Sequence, residues 1–379
     1  MRVCIVYDCL YPFTIGGAER WYRNLAEHLG SNGHEVTFLT RRQWARGEDP
    51  GIARVRVIAV SPRMELYARG RRRILPPLLF GLGVLRHLLR HGRRYDLVHT
   101  ASFPYFSVLA AAAAQRRGRY RLFVDWHELW TREYWREYLG RVGGSVGWRI
   151  QRACVRVPQR AFCFSRLHER RLRSEGFVGE VTRLEGQYVG SANAVRRPAQ
   201  LVAVFAGRHI PEKRVPVLVP ALVEARRQIP GLRGAIYGDG PERPKVLRAI
   251  AESGLDGEVV APGFVDSTIL DEAVSTALCL VLPSRREGYG LVIIEAAARG
   301  VPVVVVDGPD NAAVELVEEG TNGAVAPSEA PHELAQAIVR IHEGGTDLRD
   351  SAAEWFERNA ERLSFEHSFK RVLDSYARS

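Results

Sequence analysis

The sequence has little lysine: three residues, against 51 arginines, in a chain of 379. That skew fits a G+C-rich codon usage, so a lysine kept against it hints at a required ammonium. Cysteine is scarce as well. Cys4, Cys9, Cys154, Cys163 and Cys279 are odd in number and scattered, with no Cys-x-x-Cys spacing. This excludes a disulfide framework and a zinc site, and points to a reducing cytosol. No run of eighteen apolar residues exists, so no helix is expected to span a bilayer. A secretory signal pattern is also lacking, because Arg2 to Tyr7 reads at once as a strand.

The apolar fraction is 46%, that of a globular chain, and the length suits two domains. The net charge of +11 is unevenly spread. Residues 1–197 carry 35 arginines, no lysine and 16 acids, a net of +19; the remainder carries 19 cations and 27 acids, a net of −8. Codon usage explains arginine over lysine but not this asymmetry. A basic half suggests a surface facing an anionic partner.

The most informative stretch is Pro283 to Val303. Leu278 to Leu282 before it is a short apolar run, read as a buried parallel strand, and Val301 to Val306 reads as the next. Between them Glu287, Gly288, Tyr289 and Gly290 form a loop that opens a helix over Leu291 to Ala298. Its glycines let backbone approach a ligand, and a helix start favours an anion. Glu287 and Glu295 could accept hydrogen bonds from sugar hydroxyls. Equally, they could be a helix-start acid and a solvated face.

Other segments repeat the strand–loop–helix pattern, which argues for parallel sheets. After the first strand, Gly16-Gly17-Ala18-Glu19-Arg20 leads into a helix over Ala18 to Gly30. The turn suits a phosphate or a sugar, and also occurs as plain punctuation. It is not Gly-x-Gly-x-x-Gly and no acid follows at dinucleotide spacing, which weakens a nicotinamide reading. His127 lies just past the strand Tyr120 to Val124, where open parallel sheets bind ligands, and a lone histidine is equally read as structural or solvated. Trp126, Trp130, Tyr134, Trp135 and Tyr138 cluster around it. Aromatics stack on sugar faces and also fill cores. Leu201 to Ala206 leads into Gly207-Arg208-His209-Ile210-Pro211-Glu212-Lys213. Arg208 and Lys213 could grip a diphosphate as a fork donor and a point charge, or be two solvated cations. Arg69 to Arg94 brackets a short, Pro- and Gly-broken apolar run, Ile74 to Leu85. This fits a segment lying on an anionic membrane surface, or a core helix with solvated arginine ends. Arg166, Arg170, Arg171 and Arg173 mark another basic helix.

Taken with these motifs, the Glu287–Glu295 stretch and the Gly-x-Pro-Val-Val that follows it resemble the donor-sugar motif of retaining glycosyltransferases of the GT-B fold, glycosyltransferase family four. The resemblance is strong from Leu201 to Pro327, clear at Arg2 to Gly30 and loose from Pro62 to Glu185. It implies an α/β protein of two Rossmann-like domains facing a central cleft: 1–189 on the acceptor side, a linker over 190–200, a donor domain over 201–355, and a helix over 356–379 crossing back. Arg208 and Lys213 would hold the donor diphosphate and Glu295 the ribose. Glu287 would orient the sugar or stabilise developing positive charge. Gly16, Gly17, Gly207, Gly288, Tyr289, Gly290 and Leu291 would line the donor, and backbone at Phe264 and Val265 would border the base. His127 would contact sugar or acceptor, with Glu19, Arg20, Trp126 and Trp130 on the acceptor side. The chain has His-Glu where the family has a His-Asp-like element, and Asp307 to Glu315 departs from the usual Gly-Gly-x-x-Glu.

The implied activity is retaining transfer from a UDP- or GDP-sugar to an acceptor hydroxyl, in cell-envelope or exopolysaccharide synthesis. With no Asp-x-Asp motif, no metal and no cofactor are expected. The expected place is the cytoplasm, peripheral on the inner face of the membrane through an anionic surface, with no nucleic acid as partner. Alternatives are a GT-B epimerase or phosphorylase, a small-molecule acceptor, or a non-catalytic protein that binds polyanions or membranes.

Overall fold

Runs of β-branched and apolar residues alternate with helices throughout the chain, and each run becomes a parallel strand. The computed structural model describes residues 1–45, 47–68 and 71–378, without the side chains at 67, 68, 71 and 72. It divides into two units, Met1–Leu184 with Leu373–Ser379, and Glu185–Val372.

The first unit contains β1 Arg2–Val6, α1 Gly17–Ser31, β2 Glu35–Arg41, β3 Val55–Ser61, β4 Tyr67–Ala68, β5 Arg71–Arg72, α2 Leu75–His91, β6 Leu97–Ala101, α3 Tyr105–Gly118, β7 Arg121–Trp126, α4 Arg132–Val155, β8 Arg160–Cys163, α5 Arg166–Ser174 and β9 Val181–Arg183. Seven strands form a parallel sheet in the order β3-β2-β1-β6-β7-β8-β9. Strand alternation sends Val98, Leu122, Val124 and Trp126 into one core with Phe80, Val84 and Leu88 of α2 and Val108 and Ala111 of α3. The intervening residues His99, Phe123 and Asp125 face the other way, toward α1 and the C-terminal segment.

The second unit contains β10 Val202–Ala206, α6 Leu218–Ala225, β11 Arg233–Tyr237, α7 Arg243–Ser253, β12 Val259–Gly263, α8 Ser267–Ser275, β13 Cys279–Leu282, β14 Arg286–Glu287, α9 Leu291–Ala297, β15 Val303–Val306, β16 Asp310–Asn311, β17 Gly323–Ala326 and α10 Pro331–Leu363, followed by α11 Phe365–Ala377. Its six-stranded sheet is parallel, ordered β12-β11-β10-β13-β15-β17. The four valines of β15 are all buried, as a strand covered on both faces requires. Both units thus have the expected doubly wound architecture.

The partition differs from the sequence-based boundaries. The units divide at Leu184, not at 189, and only Leu373–Ser379 of the expected crossing helix groups with the first unit. The expected linker over 190–200 runs along the second unit, because Val195 N–H donates to Ala298 C=O at 3.1 Å and Gln200 N–H to Thr276 C=O at 2.8 Å.

The broken apolar run becomes α2. Pro76 and Pro77 lie in its first turn, where a missing N–H costs no hydrogen bond. Gly83 is required by close approach: a Cβ there would lie 2.0 Å from the Val60 carbonyl oxygen. The helix has two apolar faces. Phe80, Val84 and Leu88 are buried, whereas Leu75, Leu78, Leu82 and Leu89 are exposed. Arg69 lies outside the described residues, as do the side chains of Arg71 and Arg72. Phe80→Ala should cost about 3–5 kcal/mol in urea unfolding by leaving a cavity, and Leu82→Ala should stay within about 0.5 kcal/mol of wild type.

Candidate functional site

In the second unit, three loops leave the carboxyl ends of β10, β11 and β12 and are laced together by backbone. Gly207 N–H donates to Tyr237 C=O at 3.2 Å, His209 N–H to Asp239 C=O at 2.8 Å, and Gly238 N–H to Gly263 C=O at 2.9 Å. Gly238 has φ +112°, and a Cβ on it would lie 1.9 Å from the Gly207 carbonyl oxygen, so no other residue fits there. The lacing brings the loops bearing Gly207, Arg208, Phe264 and Val265 to the same sheet edge, the edge where open α/β sheets bind ligands. Phe264 is 64% exposed.

Lys213 ends a 3-10 turn, Pro211–Lys213, and its ammonium donates to Glu287 Oε1. Ser284 Oγ donates to the same oxygen at 2.7 Å. The two loops are also joined through backbone, Arg285 N–H to Glu212 C=O at 3.0 Å. Glu287 is buried and paired in register with Asn311 through β14 and β16. Asn311 Nδ2 donates to the carbonyls of Ser284 at 3.0 Å and Val306 at 2.7 Å. The Lys213–Glu287 contact is a charged hydrogen bond, about twice as strong as a neutral one. Gly290 starts α9 with Leu291 as its first residue; Gly288 and Glu295 are half-buried.

Tyr289 requires a correction. Its ring is buried and its hydroxyl donates to the Glu185 carbonyl, while burial pushes its pKa up. A side chain so tied leaves only its backbone for a ligand. The segment 307–315, which departs from the usual Gly-Gly-x-x-Glu, is not an α-helix. It instead forms β16 and a 3-10 turn, Ala312–Leu316, and it braces Glu287 from behind.

In the first unit, Gly16 precedes α1 and Gly17 is its first residue; a Cβ on Gly17 would meet nothing within 4 Å. Glu19 accepts from Tyr7 Oη at 3.4 Å, and Arg20 shares its turn. His127 follows β7, with its ring stacked on Phe164 at 4.3 Å and the edge of Tyr22 at 5.9 Å. Its Nε2 is enclosed without a partner. Burial holds its pKa below the ordinary histidine value, against the opposing charges of Asp125 and Glu128.

Trp126 is the second correction. It is the last residue of β7 and fully buried in the α2–α3 core, with Nε1 donating to Gln159 at 3.1 Å. Strand alternation turns it away from the side that carries Asp125, so it is a packing residue. Trp130 is half-buried and stacks on Phe103 at 5.9 Å, beside Tyr134, Trp135 and Tyr138. Of the basic helix, Arg171 and Arg173 are tied to the carbonyls of Leu129 and Gly179.

Sequence reasoning missed Ser284, Asn311 and Gly238. Only Gly238 carried a signal, as a glycine turn directly after a strand. Among the described residues no group of three or more His, Cys, Asp or Glu could hold a metal ion.

The model of glycosyltransferase family 4 matches residues 15–183, and that of glycosyl transferases group 1 matches residues 200–343. An alpha-D-kanosaminyltransferase of Streptomyces kanamyceticus is 33% identical over 153 residues, 40% of this chain and 39% of that protein. The chain spans about two fifths of the length of the curated relatives it matches. Sucrose-phosphate synthase from Thermosynechococcus elongatus has the same fold, with a TM-score of 0.82 at 20% identity over 99% of this chain and 98% of that one. HepE of Anabaena, solved with UDP and glucose, aligns at a TM-score of 0.76 and 18% identity over 100% of both chains. With both units matched in order, the chain belongs to the glycosyltransferases of group 1 and family 4, built on the GT-B fold.

Proposed function

We propose that the protein is a retaining glycosyltransferase that moves a sugar from a nucleotide-diphospho-sugar, UDP- or GDP-linked, to an acceptor hydroxyl in cell-envelope or exopolysaccharide synthesis. The observation that carries this reading is Lys213 held against buried Glu287 at the laced sheet edge that also bears Arg208. In this reading Arg208 and Lys213 take the diphosphate, and Lys213 exchanges its carboxylate partner for phosphate oxygen. The bond from the sugar's anomeric carbon to the diphosphate breaks as the acceptor oxygen bonds on the same face. The acceptor's proton passes to the departing phosphate oxygen. Arginine and lysine neutralise the charge that develops there, so the reaction proceeds without a divalent cation. Glu287, freed from Lys213, faces positive charge on the sugar; Glu295 binds ribose and His127 the sugar or acceptor. HepE, solved with UDP, favours uridine as the base. Calorimetric titration with UDP, GDP, ADP and dTDP in EDTA should show one tight binder. Arg208→Ala/Lys213→Ala should weaken it at least about a hundredfold, as loss of two charge-assisted contacts implies. Binding of none of the four would overturn the reading.

A membrane-side role is supported by α2. Leu75, Leu78, Leu82 and Leu89 share one helix face and are exposed, as is Ile74, with Arg73, Arg86, Arg90, Arg93 and Arg94 exposed around them. Apolar side chains ringed by arginine suit an anionic lipid surface. No helix among the described residues is long and apolar enough to cross a membrane. The full chain should co-sediment with vesicles containing phosphatidylglycerol and not with pure phosphatidylcholine. Leu78→Ser/Leu82→Ser should lose that binding; equal binding to both vesicles would refute an anionic docking face.

A further inference from the structure

Behind His127 lies a chain of buried polar groups that the proposed chemistry does not use. Asp125 is fully buried. Its Oδ2 accepts from Trp21 Nε1 of α1 at 2.9 Å, and its Oδ1 accepts from His99 Nε2 at 2.6 Å. His99, also fully buried on β6, meets the hydroxyl of Tyr376 through Nδ1 at 2.5 Å. Tyr376 lies on α11, in the segment that groups with the first unit. That segment is gripped besides: Arg121 donates to the Tyr376 carbonyl at 2.6 Å, and Arg160 to that of Ser375 at 2.8 Å.

The hydrogens in this chain have one consistent arrangement. Burial pushes the Tyr376 pKa far up, so its hydroxyl keeps its proton and donates it to His99 Nδ1. His99 then carries its own hydrogen on Nε2 and donates it to Asp125. Desolvation opposes the Asp125 charge, but His99 and His127 hold its pKa below the usual carboxylate value. The result is a buried carboxylate with two donors, two residues before His127 and near enough for its charge to act on that ring. Tyr22 touches both imidazoles, at 6.1 Å from His99 and 5.9 Å from His127.

We propose that Tyr376 is a positioning residue: through His99 it holds the Asp125 carboxylate, the charge behind His127. The reaction role of His127 rests on the function proposed above; the coupling itself does not. Without the Tyr376 hydroxyl, nothing holds the His99 hydrogen on Nε2, and Asp125 loses the donor that stabilises its charge. A carboxylate so weakened gives less support to protonation of His127. The groups facing His127 are then His99 from β6, Asp125 from β7, Tyr22 from α1, Phe164 after β8, and Glu128 beside it.

The test is Tyr376→Phe in the full chain, which keeps the ring and removes only the hydroxyl. Carbon-13 labelled histidine followed by NMR should show the His127 titration midpoint falling by about one pH unit, the size of a single nearby charge. Phe123→Leu serves as the comparison, because Phe123 packs on Tyr376 at 4.8 Å without joining the chain. It should lower stability and leave the His127 midpoint where it was. If the enzyme turns over UDP-glucose, the acid limb of the kcat/KM profile should move with the midpoint, and UDP affinity should stay unchanged. An unmoved His127 in Tyr376→Phe, or an equal shift in Phe123→Leu, overturns the coupling. Absence of UDP-glucose turnover in wild type bears only on the donor reading, and the NMR titration still decides.

Discussion

One charge pair organises the second unit's site: the Lys213 ammonium on the Glu287 carboxylate. Most of the ion pairs seen among the described residues lie on the surface, where each contributes about 0–1 kcal/mol. This one is different because the Glu287 side chain is 9% exposed and that of Lys213 20%. Losing one member of a buried pair strands the other at a cost of about 3–5 kcal/mol. Ser284, Asn311 and the β14–β16 pairing hold the acid end, and the 3-10 turn holds the base. The pair is therefore poised. In the proposed reaction a diphosphate offers Lys213 more negative charge than one carboxylate, and the carboxylate it releases stays fixed.

The first unit solves a related problem by a different route. Its central strands place a carboxylate and an imidazole in a fully buried row that the Tyr376 phenol of α11 completes, where an unpartnered polar group would cost about 1–3 kcal/mol. Each member is satisfied by the next, and the last is supplied by the C-terminal end of the chain. The opposite face of the same sheet is plain hydrocarbon packing under α2 and α3. One sheet thus has an inert face that stabilises and a polar face that leads to His127.

Much of this is legible in the sequence, and the reasons are local. Valine-rich runs such as Val303–Val306 form buried strands because β-branched side chains favour the extended backbone and a parallel strand is covered on both faces. Glycine turns after strands mark the loop edges, and the rarity of lysine singles out Lys213. Trp126 is misplaced from sequence because the strand runs two residues further than its apolar run, and alternation then reverses its direction. Tyr289 is misread because its partner, Glu185, lies 104 residues away. The row from Asp125 to Tyr376 joins residues 26 and 277 apart and has no sequence spacing to find. Helix α2 is readable as apolar with basic flanks, but not which of its faces stays exposed.

The central claim is that Glu287 holds Lys213 as a placeholder for donor phosphate. Calorimetric affinity of UDP for Glu287→Gln, against wild type at low salt, tests it most directly. The variant keeps the size of the side chain and the Ser284 partner, and removes the charge that competes with phosphate. The account predicts tighter binding, by roughly three- to tenfold, the worth of about one released charged contact. Equal or weaker binding would contradict it, and would mean that the pair is a structural brace outside the donor's reach.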